Sequence, residues 1–266
     1  MFTKSHIHTQ LRRMGVAPAD TVLMHTSMKA VGEVEGRAEG FLDALIDYFA
    51  EDGLLLIPTH TWKHLGETPT VDMTSSYTCI GLLPSLAAVH PMAHRSLHPT
   101  HSMAAFGKRA EEYIAGEEDI DTSTHWKGCY GRLYDVGGKI LLCGVGHNRN
   151  TYLHSCEERI GVPNRLSADL KPCTIRMPSG ELVSHPIHCH CAIGCGDVSA
   201  HYPKYEPVFR KAGAITDGHL GNAPTQFCDC RIMCDVMEQI HRQHPDELCF
   251  DDEPIPEEVV REIRDK

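Results

Sequence analysis

Two short apolar runs, Thr21-Val22-Leu23-Met24 and Leu54-Leu55-Leu56-Ile57, bracket a stretch of helical periodicity. No other feature constrains this chain as much. Each run has the length of a strand and is apolar throughout, as expected of a strand covered on both faces of a sheet. Between them, residues 37–50 set Phe41, Leu42, Leu45, Tyr48 and Phe49 on one helical face. A strand, a helix and a second strand in close succession require parallel neighbours joined by a right-handed crossover. The chain is therefore read as α/β.

The rest of the chain extends this pattern. Lys139–Val145 is a third apolar run, followed by the loop 146–150 and a helical stretch, Thr151–Ile160. Residues 5–15, 81–90 and 108–115 read as helices, and Met103–Phe106 as a strand. Residues 59–80 form a long polar loop, a type that is usually functional in a compact domain. Cys173–Met177 and Leu182–Ile187 flank Pro178-Ser179-Gly180-Glu181 and read as a hairpin. Residues 225–242 read as a final long helix. With neither internal repeat nor linker, residues 1–266 are expected to form one domain.

Composition narrows the function. The net charge of −11 disfavours wrapping nucleic acid or an anionic membrane. No apolar run approaches the roughly 20 residues of a membrane span. Met1-Phe2-Thr3-Lys4-Ser5-His6 opens no signal-peptide core, so the expected compartment is the cytoplasm. In that setting the 12 Cys and 19 His suggest reduced thiols, metal ligands or buried side chains rather than a disulfide framework. Gly144-Val145-Gly146 is followed by Arg149 where a dinucleotide fingerprint needs glycine. There is also no phosphate-loop lysine, no Gly-x-Ser-x-Gly elbow and no His-Glu-x-x-His.

Four polar stretches sit beside strand ends, where α/β sheets bind ligands. His25-Thr26-Ser27-Met28-Lys29-Ala30-Val31-Gly32 offers hydroxyls and backbone N–H groups to an elongated polar ligand, or is a turn capped by a serine. Pro58-Thr59-His60-Thr61-Trp62, leading to Asp72, lines a pocket or packs its tryptophan. Arg95-Ser96-Leu97-His98-Pro99-Thr100-His101-Ser102 suits a phosphate, a metal pair or a surface turn. In Asn150-Thr151-Tyr152-Leu153-His154-Ser155-Cys156-Glu157-Glu158, His154 and Glu157 share a helix face. A carboxylate there orients an imidazole as a general base, or the two form a surface contact.

Taken in this order, with Gly131-Arg132-Leu133-Tyr134, Leu141-Leu142-Cys143-Gly144-Val145-Gly146 and Gly221-Asn222-Ala223, these stretches resemble the aminoglycoside 3-N-acetyltransferase family. The resemblance runs from about residue 5 to residue 245. It implies a three-layer α/β/α sandwich with a mixed central sheet, distinct from the common N-acetyltransferase superfamily fold. The Gln/Arg-x-x-Gly-x-Gly/Ala loop of that superfamily is absent. The resemblance further implies acetyl-coenzyme A as cosubstrate, a small-molecule amine as acceptor and direct transfer between them. His154 matches the general base and Glu157 its acidic partner, with His25 lining the donor site or assisting proton transfer. Thr26, Ser27, Met28, Val31 and Gly32, with Arg95, Ser96, His98, Pro99 and Ser102, match the stretches that hold coenzyme A. Asp72, Thr59 and Trp62 fall on the acceptor side.

One segment departs from that pattern. His188-Cys189-His190-Cys191, Cys195, His201 and Cys228-x-Cys230-x-x-x-Cys234 carry soft thiolate and imidazole ligands of the kind that bind zinc. Zinc is possible there but not favoured, and no residue is assigned to a metal. The alternative to the transferase reading is a metal-dependent hydrolase built on these segments. A binding module that keeps the fold without the chemistry is a third reading, disfavoured by the intact His154 and Glu157.

Overall fold

The computed structural model describes residues 1–63, 70–244 and 253–263. Helix α1 (Lys4–Arg13), capped by the Thr3 hydroxyl, leads into β1 (Thr21–Thr26). The short α2 (Met28–Val31), then α3 (Arg37–Phe49), carry the chain to β2 (Leu54–Pro58). β1 and β2 pair in parallel with Thr21 opposite Leu54, as the crossover demands. There follow β3 (Thr70–Asp72), α4 (Leu82–Ala88), β4 (His94–Arg95), β5 (Met103–Phe106) and α5 (Ala110–Ile114). Next come α6 (Arg132–Val136), β6 (Lys139–Cys143), α7 (Tyr152–Ile160), β7 (Thr174–Arg176) and β8 (Leu182–Ser184). The last elements are α8 (Glu206–Lys211), β9 (Ile215–Leu220), β10 (Ala223–Asp229), α9 (Cys230–Gln243) and α10 (Glu257–Glu262).

Seven strands form a mixed sheet in the order β4-β5-β2-β1-β6-β10-β9. β2, β1 and β6 run parallel at its centre, and the outer strands join antiparallel. A separate small sheet has the order β3-β7-β8. Because strand side chains alternate between faces, each central strand feeds two cores. Leu23, Leu56, Ile140 and Leu142 pack with α5–α9, while Val22, Met24, Leu55, Ile57 and Leu141 pack with α1, α3 and α4. This is the three-layer arrangement the resemblance implies. Burying each Leu, Ile or Phe of these layers contributes about 1.5–3 kcal/mol, which makes the central strands the rigid part of the molecule.

The expected helix over residues 225–242 is corrected. Thr225–Asp229 belongs to β10, and the helix begins only at Cys230. Asp229 explains the boundary, because its carboxylate accepts a hydrogen bond from the Ile232 N–H (3.0 Å) and caps the helix. β9 went unforeseen because it is a half-exposed edge strand with a glycine in its middle, so it lacks an apolar run. The loop expected over residues 59–80 contains β3, and residues 64–69 of it lie outside the described residues.

Since β1, β2 and β6 are parallel, their carboxyl ends open on one side. The loops that follow them therefore converge there.

Candidate active site

A cavity of about 730 Å³ lies where these loops meet. Its walls include His25 and Thr26 from β1, His60 and Trp62 after β2, His101 before β5, and His154 from α7. His190, from the Cys/His-rich segment, completes the ring of imidazoles.

His154 is the best-furnished of these. The Tyr202 hydroxyl lies 2.6 Å from its Nδ1 and donates to Glu157 Oε2 at 2.7 Å. The single hydroxyl proton is committed to the carboxylate, so His154 Nδ1–H is the donor to the tyrosine oxygen. Nε2 is left as the ring nitrogen with a free lone pair. His154 Nδ1 and Glu157 Oε2 are 3.7 Å apart, too far for a direct hydrogen bond, so Tyr202 is the link between them. Burial lowers the His154 pKa and His190 adds to the effect, with Glu157 opposing; the net shift is downward. Burial raises the Glu157 pKa, but His154, Arg165 and Tyr202 outweigh it and hold the carboxyl ionised. Arg165 Nε lies 2.8 Å from Glu157 Oε1 as its buried counter-charge.

The strand-end loops are shaped by close contacts. Ser27 caps α2 by accepting from the Ala30 N–H (3.4 Å). Gly32 ends α2 at φ 81°, and a Cβ there would lie 2.7 Å from Asn222 Nδ2, so only glycine fits. This contact brings the Val31-Gly32 and Gly221-Asn222-Ala223 stretches together. Val31 is fully buried in the core and Met28 packs against it, so within the 26–32 loop Thr26 is the expected donor residue that reaches the cavity. Thr26 Oγ1 and the buried His25 Nε2 have no hydrogen-bond partner among the described residues. Burial pushes His25 down to about 4, so its ring is neutral near pH 7.

The side chains of the segment 95–102 bond largely to the protein itself. Arg95 Nε donates to Ser102 Oγ (3.2 Å), and its Nη1 donates to the carbonyls of Met73 (3.3 Å) and Ser75 (3.1 Å). Ser96 Oγ accepts from the Met103 N–H, and Ser102 Oγ pairs with Thr59 Oγ1 at 2.8 Å. The Pro99 carbonyl accepts from Thr61 Oγ1 (2.9 Å). His98 Nε2–H donates to the Thr122 carbonyl (2.9 Å), while its Nδ1 accepts from the Thr100 and His101 N–H groups. These residues are fully or largely buried and do not line the cavity. They form the frame that holds His60 and His101 in place, their rings 4.3 Å apart, with His60 Nε2 at 2.5 Å from the Tyr130 hydroxyl.

On the acceptor side, Trp62 lines the cavity and is 42% exposed. Thr59 is buried in the frame. Asp72 lies on β3, away from the cavity lining, accepting from Thr74 N and Oγ1 (2.8 and 2.6 Å) beside Arg176. Tyr202, Glu158, Arg165 and Tyr130 carry no assigned role in the sequence, and His190 stands there only as a possible zinc ligand. His190 stands on the divergent stretch 188–201 and Tyr202 directly after it, and their proximity to α7 leaves no local signal. Among the described residues, no group of three or more His, Cys, Asp and Glu is arranged to hold a metal ion, so the hydrolase reading gains no support. No helix of the described residues is long and apolar enough to cross a membrane.

The fold and site define an α/β protein with a cavity at the carboxyl ends of its parallel strands, walled by a carboxylate-backed histidine. A family profile described as aminoglycoside 3-N-acetyltransferase matches residues 23–242, and the chain belongs to that family. Aminoglycoside N(3)-acetyltransferase IV of Salmonella sp is 31% identical over 182 residues, 68% of this chain and 66% of that protein. Aminoglycoside N(3)-acetyltransferase VII of Streptomyces paromomycinus is 28% identical over 260 residues, 88% of this chain and 89% of its own length. Among solved structures, the YokD protein of Bacillus subtilis superposes with a TM-score of 0.76 at 21% identity, covering 90% of this chain and 98% of that one. AAC-IIIb, solved as a binary complex with CoASH, gives 0.77 at 21% identity over 90% and 97%. At that level of identity the likeness is one of fold.

Proposed function

We propose that this protein transfers an acetyl group from acetyl-coenzyme A directly to an amine, with His154 as general base. The observation that carries the reading is the His154–Tyr202–Glu157 chain, which leaves a cavity-lining imidazole with a free lone pair on Nε2. Family membership supports the donor and the reaction class. The named relatives are acetyltransferases of aminoglycosides, and one structural neighbour holds coenzyme A. Aminoglycosides are the first acceptors to test.

The residues present fit such a donor. His25 Nε2 and Thr26 Oγ1 are polar atoms buried without partners at the mouth of β1, ready for a thin ligand with amide and carbonyl groups. The coenzyme would supply an activated thioester carbonyl there. An alkylammonium is not nucleophilic until it has lost one proton to solvent, and His154, kept neutral near pH 7, takes the second at Nε2 as the free amine bonds to the carbonyl carbon. Glu157 stabilises the imidazolium that forms, through Tyr202. The cavity holds both reactants together, which removes the entropic cost of their encounter from the chemical step. The expectation of a cytoplasmic protein stays with this reading.

The test is product formation. Purified protein, acetyl-coenzyme A and a panel of amines that includes aminoglycosides are incubated and analysed by mass spectrometry. An acetylated amine is expected. Failure of every amine, together with failure to bind the donor, would contradict the reading.

A further inference from the structure

The divergent segment contributes a second histidine with its own carboxylate. His190 Nε2 lies 2.7 Å from Glu158 Oε1, and the same carboxylate accepts from Thr124 Oγ1 (2.7 Å) and Thr122 Oγ1 (2.5 Å). Glu158 follows Glu157 directly on α7, yet the two face different partners. Glu157 has Arg165 as its counter-charge, whereas the basic side chain against Glu158 among the described residues is His190. A buried carboxylate needs a donor against it, so His190 Nε2–H is fixed on Glu158. Burial raises the Glu158 pKa, but the hydrogen bonds and charge of His190, with the two threonines, outweigh it and keep the carboxyl ionised. The His190 ring lines the cavity, 4.5 Å from the His154 ring between centroids. With Nε2 occupied by Glu158, Nδ1 is the nitrogen left for a reactant.

We propose that His190, seated on Glu158, is the second proton-transfer group of this site and protonates the departing sulfur of the donor. The inference rests on the transferase reading above. The amine nitrogen forms its bond to the acetyl carbon and its proton passes to His154 Nε2. The carbon–sulfur bond breaks with its electron pair on sulfur, and the sulfur takes the proton of His190 Nδ1. Transfer of a proton from His154 to His190 then restores both rings. Each imidazolium has its own carboxylate, so neither protonated state stands uncompensated. The other titratable and charged groups around His190 are His101 from the turn before β5, Arg165 on the adjoining bridge, and Lys171, Cys189 and Asp197 around the same cavity.

The experiment is the pH dependence of kcat with acetyl-coenzyme A and an amine that the wild type acetylates. The wild type is expected to give a bell: activity rises as His154 loses its proton and falls on the alkaline side as His190 loses its own. His190→Gln is expected to lower kcat at neutral pH by about 10- to 100-fold, leave KM for the donor within twofold, and abolish the alkaline fall. Glu158→Gln keeps the imidazole but removes the anion that holds its proton, so the alkaline limb moves to lower pH by about one unit or more. A purely structural role would lower the bell without moving either limb, and that result overturns the proposal. An unchanged His190→Gln enzyme, or a wild type with no alkaline fall, overturns it equally. If His190→Gln does not fold, the shift in Glu158→Gln decides. A wild type that acetylates no amine overturns the transferase reading, and this inference with it.

Discussion

The strand-end half of the site and the segment that covers it are built by different forces. His25, His60 and His154 stand on or beside parallel strands and a helix whose side chains fill two apolar cores. Residues 161–205 contain only the short β7 and β8 and a 3-10 stretch; Val198, Tyr202 and Tyr205 of that stretch reach the core, and polar contacts hold much of the rest. His188 Nδ1 bonds the Ser167 carbonyl (2.8 Å), His185 Nε2 the Ile120 carbonyl (2.7 Å), and Asn164 ties to the backbone of Ile193. Yet this thinly packed segment supplies Tyr202 and His190, the two groups that complete the proton path. Hydrophobic burial fixes the base and Tyr202, and specific hydrogen bonds fix His190.

Acid should expose that contrast most strongly. Burial pushes His25, His98 and His147 from the ordinary 6.5 to about 4. The folded protein keeps these rings neutral while the unfolded chain protonates them. Their stabilisation is complete above pH 6.5 and is lost as pH falls toward 4, by roughly 3 kcal/mol per histidine. Denaturant melts across that window should show the loss. A flat profile would mean that the strand-end rings are not buried as described.

Leu56→Ala in β2 removes a fully buried side chain and should cost about 2–5 kcal/mol in a denaturant melt. Tyr202→Phe deletes one oxygen and should cost about 1–3 kcal/mol of stability, while kcat falls by about 10-fold or more and KM for the donor stays the same. A KM effect with kcat intact would reassign Tyr202 to binding. Leu182→Ala, at a 56% exposed position on β8, should change stability by less than about 0.5 kcal/mol.

The same contrast explains what could be read in the sequence. Val22–Met24, Leu54–Ile57 and Ile140–Leu142 are apolar on every face, so the parallel centre of the sheet was legible. So was the pair His154 and Glu157, because helical spacing alone places them together. β10 misled because Thr225–Cys228 precedes a helix without a break in polarity, and the cap at Asp229 is a one-residue signal. Tyr202 lies 48 residues from His154, and Glu158 lies 32 from His190. Only tertiary packing brings them together. Arg95 and His98 carry ligand-like chemistry, but their burial turns it inward to frame the loop.

The most direct test compares His154→Ala with the wild type, measuring donor binding and acetyl transfer on the same preparations. The account predicts equal affinity for coenzyme A and a fall in transfer of about 100- to 10,000-fold. A variant that binds the donor and keeps more than about a tenth of the wild-type rate would show that His154 is not the base.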